Sequence, residues 1–350
     1  MKFIACVAGV LAVNERRLVK TSENAAAQWV TEQDILTMLQ SHTHFMDITE
    51  TGDAPKLRAF RSGPQFPSAT RYADKVRPLL EQISNNRMLA FLTEYSSFYN
   101  RYYSSQTGVA ASKWLKEQIQ NSTFGMKIQI EAVSHSFPQQ SIIARFPGSD
   151  PALANEIVII GGHLDSINMY DPLEGMAPGA DDDGTGTTAN LETFRILAAS
   201  GFSPKRTVEF HWYAGEEKGL LGSQDIAKSY FKAKKNVVSM VQFDMVGYLT
   251  HNRQVAFVND YTNPALTDFL RKVADKYLNI THTEYTCGYG CSDHASWTKY
   301  GFPSAFPFED EINPNIHTAQ DTLDFVNFDN VKEFVKLAIA YLVEIAEPST

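Results

Sequence analysis

The sequence predicts an α/β fold, a mostly parallel, mixed central sheet with helices on both faces, preceded by a separate N-terminal segment. Three observations carry that prediction. Short apolar runs recur at 141–146, 157–160, 207–213 and 237–243. Segments of helical period lie between them, notably 184–199 and 223–234, so strands alternate with helices as in a sheet built from crossover units. The run Ile157-Val158-Ile159-Ile160 is apolar at every position, which suits a strand covered on both sides.

The elements follow in chain order. Residues 1–13 open on Met1-Lys2 and continue in an apolar run, the form of a secretory signal peptide with Val-Leu-Ala at 10–12 as its cleavage site. Secretion to the extracellular medium is the expectation. Residues 14–71 are polar, lack strong strand patterns and end in a stretch rich in Gly, Pro and Ser, which reads as a pro-segment joined by a linker. The catalytic domain is expected over 72–350. It begins with helical periodicity at 72–83, 88–98 and 110–120. After the alternating strands and helices comes a strand at 254–258. A helix then opens at Asn263-Pro264, with Pro at a favoured early position, and runs to 278. An amphipathic helix over 328–346 closes the domain.

The 350 residues, 43% of them hydrophobic, suffice for one large domain plus a smaller segment. A net charge of −9 disfavours a nucleic-acid partner. No apolar run reaches the roughly 20 residues of a membrane helix, so no membrane partner is expected. Of three cysteines, Cys6 falls in the signal, leaving Cys287 and Cys291 as an even pair for a local disulfide in an oxidising compartment. Secretion also permits glycosylation at Asn121 and Asn279, each of which opens an Asn-x-Thr/Ser triplet.

In an open α/β sheet, ligands bind beyond the carboxyl ends of the strands. His163 and Asp165 follow the run at 157–160, Glu216 and Glu217 follow 207–213, and Asp244 follows 237–243. The triplet Asp181-Asp182-Asp183 immediately precedes a helix, whose N-terminus favours carboxylates, and His317 lies on a later loop. Taken singly, an Asp at a strand end is usually a turn or cap residue. Their joint placement converges on one sheet edge. His163, one Asp of the triplet, Glu217, Asp244 and His317 make five nitrogen and oxygen ligands of a kind that suits zinc. Two zinc ions sharing one carboxylate would use all five and leave room for a bridging water. Spacing leaves the member of the triplet open. Glu216, beside a ligand, is placed as the proton shuttle, and Asp165 as acceptor for the other N–H of His163. His211, His251, His282 and His294 lack this context and read as structural or surface residues. The absence of a Gly-x-Ser-x-Gly elbow disfavours serine hydrolase chemistry.

The motifs Gly161-Gly-His-Leu-Asp-Ser166, Ala177-Pro-Gly-Ala-Asp-Asp-Asp-Gly184, Ala214-Gly-Glu-Glu-Lys-Gly-Leu220, Gln242-Phe-Asp-Met245, Thr286-Cys-Gly-Tyr-Gly-Cys-Ser-Asp-His-Ala-Ser-Trp297 and Asn315-Ile-His-Thr-Ala-Gln-Asp-Thr322 occur in this order. With them the chain resembles the secreted fungal leucine aminopeptidases of the co-catalytic di-zinc exopeptidase family, over roughly 72–347. The resemblance implies the phosphorylase/hydrolase-like fold of zinc exopeptidases. It assigns His163 and Asp244 to one zinc, Glu217 and His317 to the other, and Asp182 to both. Glu216 becomes the general base and Asp165 the partner of His163. Cys287 and Cys291 become the disulfide that shapes a pocket around Tyr289, with Met245, Val258, Phe306, Phe308 and Ile316 as apolar pocket positions. The implied activity is removal of N-terminal Leu or another apolar residue from peptides and proteins by a monomer, with the pro-segment as inhibitor. The alternatives are a single-zinc glutaminyl cyclase and a non-enzymatic ectodomain of the same fold. The intact five ligands and base argue against both.

Overall fold

In this computed structural model, which describes residues 16–53, 66–248 and 253–349, the polar N-terminal segment is folded. Strand β1 (Arg16–Lys20) pairs antiparallel with β2 (Gln28–Thr31) and with β3 (Met46–Asp47), and helix α1 (Glu32–Gln40) joins β2 to β3. Helix α1 starts in a capping box. The Thr31 hydroxyl accepts from Asp34 N–H, and the Asp34 carboxylate accepts from Thr31 N–H. This corrects the expectation of a segment without strong strands. Only Val19 in β1 is buried and nothing in β2 is, so no apolar run marks either strand. The lobe has no core of its own. Val19, Ile35, Leu39 and Phe45 pack with Tyr102, Ile167 and Met169 of the following domain. The expected signal at 1–13 and much of the expected linker lie outside the described residues.

Helices α2 (Ala73–Leu80), α3 (Asn85–Tyr95) and α4 (Gln106–Asn121) come next, followed by the hairpin β4 (Gln129–Val133) and β5 (Ser141–Phe146). Then β6 (Glu156–His163), α5 (Gly184–Ala199), β7 (Thr207–Tyr213), α6 (Leu221–Lys232) and β8 (Asn236–Gln242) alternate. Strand β9 (Gln254–Val258), α7 (Pro264–Tyr277), β10 (Thr281–Tyr285), α8 (His294–Lys299), β11 (Ser304–Ala305), β12 (Pro307–Glu309) and α9 (Phe328–Ala346) complete the chain. The central six-stranded sheet has the order β11-β8-β6-β7-β5-β4. Strand β6 is parallel to β7 and β8, and β11 to β8, while β5 and β4 run antiparallel. This is the mostly parallel mixed sheet the sequence predicts. The parallel strands are joined through crossover helices α5 and α6, whereas β4 and β5 need only a short loop. In the second sheet, β10-β9-β12, the sequence predicts only β9, because β10 is the polar segment Thr-His-Thr-Glu-Tyr.

The continuous apolar run in β6 now has its reason. Val158 and Ile160 face the larger core with Phe146, Phe194, Phe210 and α9, while Ile157 and Ile159 face a second cluster with Tyr213, Tyr230 and Trp297. A two-residue period with both faces buried leaves no polar position. Phe194 of α5 is fully buried and meets Phe146 and Phe210 edge-on, with ring centroids 5.4 Å apart in each pair. Phe194→Ala is expected to cost about 3–5 kcal/mol in denaturant unfolding, because this rigid site cannot collapse around the void. A loss under about 1 kcal/mol would show that the site relaxes.

Candidate metal centre

The three central strands end level with one another. His163, the last residue of β6, pairs with Tyr213 at the end of β7, and Gly161 pairs with Gln242 at the end of β8. The residues that follow each strand therefore emerge side by side. After β7 the chain turns at Gly215, whose φ of +69° favours glycine, and presents Glu216 and Glu217. The Asp165 carboxylate fixes that turn by accepting Glu216 N–H at 3.0 Å and Glu217 N–H at 3.2 Å. Asp165 Oδ1 stands 3.6 Å from His163 Nδ1, beyond hydrogen-bond length, so its backbone contacts dominate.

Hydrogen bonds separate the members of the acidic triplet. Asp183 caps α5 by accepting Gly186 N–H at 2.8 Å, and its other oxygen accepts His163 N–H at 2.9 Å. Asp181 accepts from Asn313 Nδ2 at 3.1 Å and from Gly247 N–H at 3.3 Å. Asp182 faces the imidazoles. Its Oδ1 is 3.0 Å from His163 Nε2 and its Oδ2 is 2.8 Å from His317 Nε2. His163 Nε2 also lies 3.5 Å from Asp244 Oδ1, and His317 Nε2 lies 3.1 Å from Glu217 Oε2. The donor atoms of Asp182, Glu217 and His317 fall within 4.8 Å of one another, and so do those of His163, Asp183 and Asp244. Distance alone would admit Asp183 to the second group. Its oxygens, however, already accept backbone N–H groups, whereas the two oxygens of Asp182 lie beside His163 and His317.

The donor set fits a cation. Among the described residues, Asp244 Oδ1 and Glu217 Oε1 are buried and accept no hydrogen bond. Buried lone pairs of this kind are costly unless a positive charge meets them. Imidazole nitrogen and carboxylate oxygen suit zinc. The remaining oxygen of Asp244 accepts the Ser292 hydroxyl at 2.6 Å. Sequence reasoning missed Ser292, and its position directly after Cys291 was the available signal.

Electrostatics follow from burial. Burial holds the Glu216 carboxyl well above the ordinary range, and His163 pulls it back only in part. Burial likewise raises Glu217 to about 7 against the opposing pull of His317. Burial alone would raise Asp182 too, but His317 and His163 hold it well below the usual carboxylate range. Burial disfavours the charged forms of His163 and His317, yet the carboxylates around them push both well above 6.5.

A cavity of about 320 Å³ opens over these groups, lined by Asp182, Glu216, Glu217, Asp244 and His317. Met245, Tyr289 and Ile316 add apolar wall. Val258, Phe306 and Phe308, the other expected pocket residues, are buried behind it in a cluster that Met245, Cys287 and Cys291 pack against. Cys287 and Cys291 form the expected disulfide. Part of the wall, Leu39 and His42 to Phe45, belongs to the N-terminal lobe, and His44 stacks on Tyr289 at 4.1 Å. A second cavity of about 220 Å³ shares Tyr289 and Gly290 with the first and follows the lobe's seam past Lys20 and Lys299, touching none of the expected ligands.

The histidines read as structural or surface residues are placed accordingly. His211 is buried 2.9 Å from Glu209, and His282 pairs with exposed Asp275. His294 is buried against the Phe306 ring at 4.9 Å, and burial lowers it to about 3. His251 lies outside the described residues. Asn121, at the end of α4, and Asn279, after α7, are both exposed.

Residues 141–342 match peptidase family M28. Leucine aminopeptidase 1 of Sclerotinia sclerotiorum is 40% identical, over 95% of this chain and 89% of that protein. Leucine aminopeptidase 1 of Coccidioides posadasii is 39% identical, over 91% of this chain and 86% of its own length. Among solved structures, the LapA aminopeptidase of Legionella pneumophila superposes with a TM-score of 0.81 at 29% identity, covering 95% of this chain and 94% of that one.

Proposed function

The chain belongs to peptidase family M28 and is an aminopeptidase, and from that premise we propose that it removes N-terminal Leu or another apolar residue from peptides at a two-zinc site. The observation that carries this reading is Asp182, whose two oxygens address two separate imidazoles. His163 and Asp244 would hold one ion, Glu217 and His317 the other, and Asp182 both. Zinc bound there would supply Lewis acidity for the scissile carbonyl and lower the pKa of water.

The protein's own groups do the rest. Glu216 lines the cavity, and burial gives its carboxyl a strong hold on a proton. It is suited to take a proton from the attacking water and deliver it to the departing amine. Asp165 holds Glu216 in place through the backbone N–H. Met245, Tyr289 and Ile316 offer an apolar wall, against which burying a Leu side chain is worth about 1.5–3 kcal/mol. The surrounding carboxylates favour a substrate with a free ammonium terminus, which restricts cleavage to the end of a chain. Ser292 orients Asp244. Ser292→Ala is expected to weaken zinc retention at the His163 half by about 10- to 100-fold in a chelator titration, and unchanged retention would remove Ser292 from this role.

The N-terminal lobe acts as an inhibitory pro-segment, a reading supported by its place in the cavity wall and by the stack of His44 on Tyr289. The protein is secreted, in keeping with a disulfide and two exposed sequons. The function is tested by hydrolysis of Leu-p-nitroanilide beside its N-acetyl form, with and without chelator, at known zinc content. Cleavage of only the free-amine substrate, abolished by chelator, with two zinc ions per chain, is the expected result. One zinc and no cleavage would favour the cyclase.

A further inference from the structure

Away from the metal ligands, the structure contains a Ser–His–Asp chain. His135, on the loop between β4 and β5, places Nε2 2.7 Å from Ser141 Oγ and Nδ1 3.0 Å from Asp225 Oδ2. The distances match a hydrolytic triad, but Ser141 is fully buried, as is the His135 side chain, so no substrate reaches the hydroxyl. The serine is engaged elsewhere. Its oxygen accepts Ala214 N–H at 2.9 Å. The Asp225 carboxylate only accepts, so Nδ1 carries the imidazole proton and donates to it, and Nε2 of the neutral ring accepts the Ser141 hydroxyl proton.

Ala214 begins the turn that carries Glu216 and Glu217. Asp165 pins that turn from the β6 side through Glu216 N–H and Glu217 N–H. Ser141, the first residue of β5, pins it from the opposite side. The fit there is tight. A Cβ added at Gly222 would clash with Ala214 O and lie 2.8 Å from Ser141 Oγ. The His135 ring also stacks on Phe137 at 4.8 Å, and Phe137 lies against the Gly215 turn. Asp225 anchors the far end on α6, the helix that follows the same turn.

We propose that Ser141, His135 and Asp225 form a relay of positioning residues that sets the Ala214–Gly215 turn, and through it the aim of Glu216 and Glu217. This rests on the aminopeptidase reading for the role of Glu216, whereas the link to Glu217 is open to test by metal retention alone. The relay fixes the tautomer of His135, the tautomer fixes the Ser141 proton, and the hydroxyl oxygen stays free for Ala214 N–H.

The test uses the full zinc-loaded chain and compares Ser141→Ala, His135→Phe and Ile142→Ala. His135→Phe keeps a ring against Phe137, while Ile142→Ala opens a void beside Ser141 and leaves the relay whole. Ser141→Ala is expected to lower kcat on Leu-p-nitroanilide about tenfold or more with KM held within about twofold, and to release one zinc at about tenfold lower chelator concentration. His135→Phe should shift both in the same direction by less. Ile142→Ala should lower the melting temperature while leaving kcat per folded molecule and zinc release as in the parent. The relay is overturned if Ser141→Ala keeps the parent's zinc release, or if it behaves like Ile142→Ala. Should the parent fail to cleave the anilide, the peptidase reading fails by itself and zinc release still decides the relay.

Discussion

Glu216→Gln is expected to keep its zinc and to lose about 10²- to 10⁴-fold in kcat, the usual worth of a positioned proton-transfer group. Glutamine preserves the volume and leaves Glu216 N–H on Asp165, so the turn is undisturbed. What it removes is the proton site facing the cavity. Metal analysis beside anilide kinetics checks the claim, and normal turnover would end the assignment of Glu216 as base. The same change should stabilise the metal-free protein. Burial raises the folded-state pKa of Glu216 well above 4.5, so the ionised form opposes folding at neutral pH. That penalty is full above the folded pKa and vanishes as pH falls below the unfolded one. The gain from Gln should therefore be present at pH 8 and absent near pH 3. A gain independent of pH would point to packing.

The second large effect separates two adjacent aspartates. Asp182→Ala should empty both halves of the site and abolish turnover, since each imidazole faces one of its oxygens. Asp183→Ala should keep two zinc ions and instead cost about 0.5–2 kcal/mol of stability for the lost helix cap, with a further penalty for His163 N–H left buried without its acceptor. Zinc content and denaturant unfolding of the two variants give the comparison. Zinc lost from Asp183→Ala and retained in Asp182→Ala would reverse the roles and make Asp183 the shared carboxylate.

The sheet was legible because its strands are buried on both faces. Val158 and Ile160 serve one core and Ile157 and Ile159 the other, so the run carries no polar interruption. The convergence of His163, Glu216, Glu217, Asp244 and His317 was legible for a related reason, since each follows a strand end or a motif. Choosing Asp182 required more. All three aspartates are buried beside one helix N-terminus, and only the direction of each carboxylate separates them. Ser292 was overlooked because its one signal, the position directly after Cys291, does not show that its hydroxyl reaches Asp244. The N-terminal lobe was silent because its apolar residues are few and find partners in Tyr102, Ile167 and Met169, far along the chain. The pocket was half legible. Met245, Tyr289 and Ile316 reach the cavity, while Val258, Phe306 and Phe308 back the wall.

If the lobe inhibits as proposed above, its shared core determines how that inhibition would be relieved. Val19, Ile35, Leu39 and Phe45 bury themselves against the catalytic unit, Lys218 Nζ reaches Glu32 at 2.9 Å, and Gln224 Nε2 donates to Asp47 O at 2.8 Å. A single scission between lobe and catalytic unit breaks none of these contacts. Under the proposed inhibitory role, its product would be a nicked two-chain complex that stays capped, comparable to an enzyme with a bound protein inhibitor. On that reading activity would appear by dissociation, which dilution favours, or by digestion of the freed lobe. Onset should lag behind cleavage, and the lag should shorten as the nicked protein is diluted.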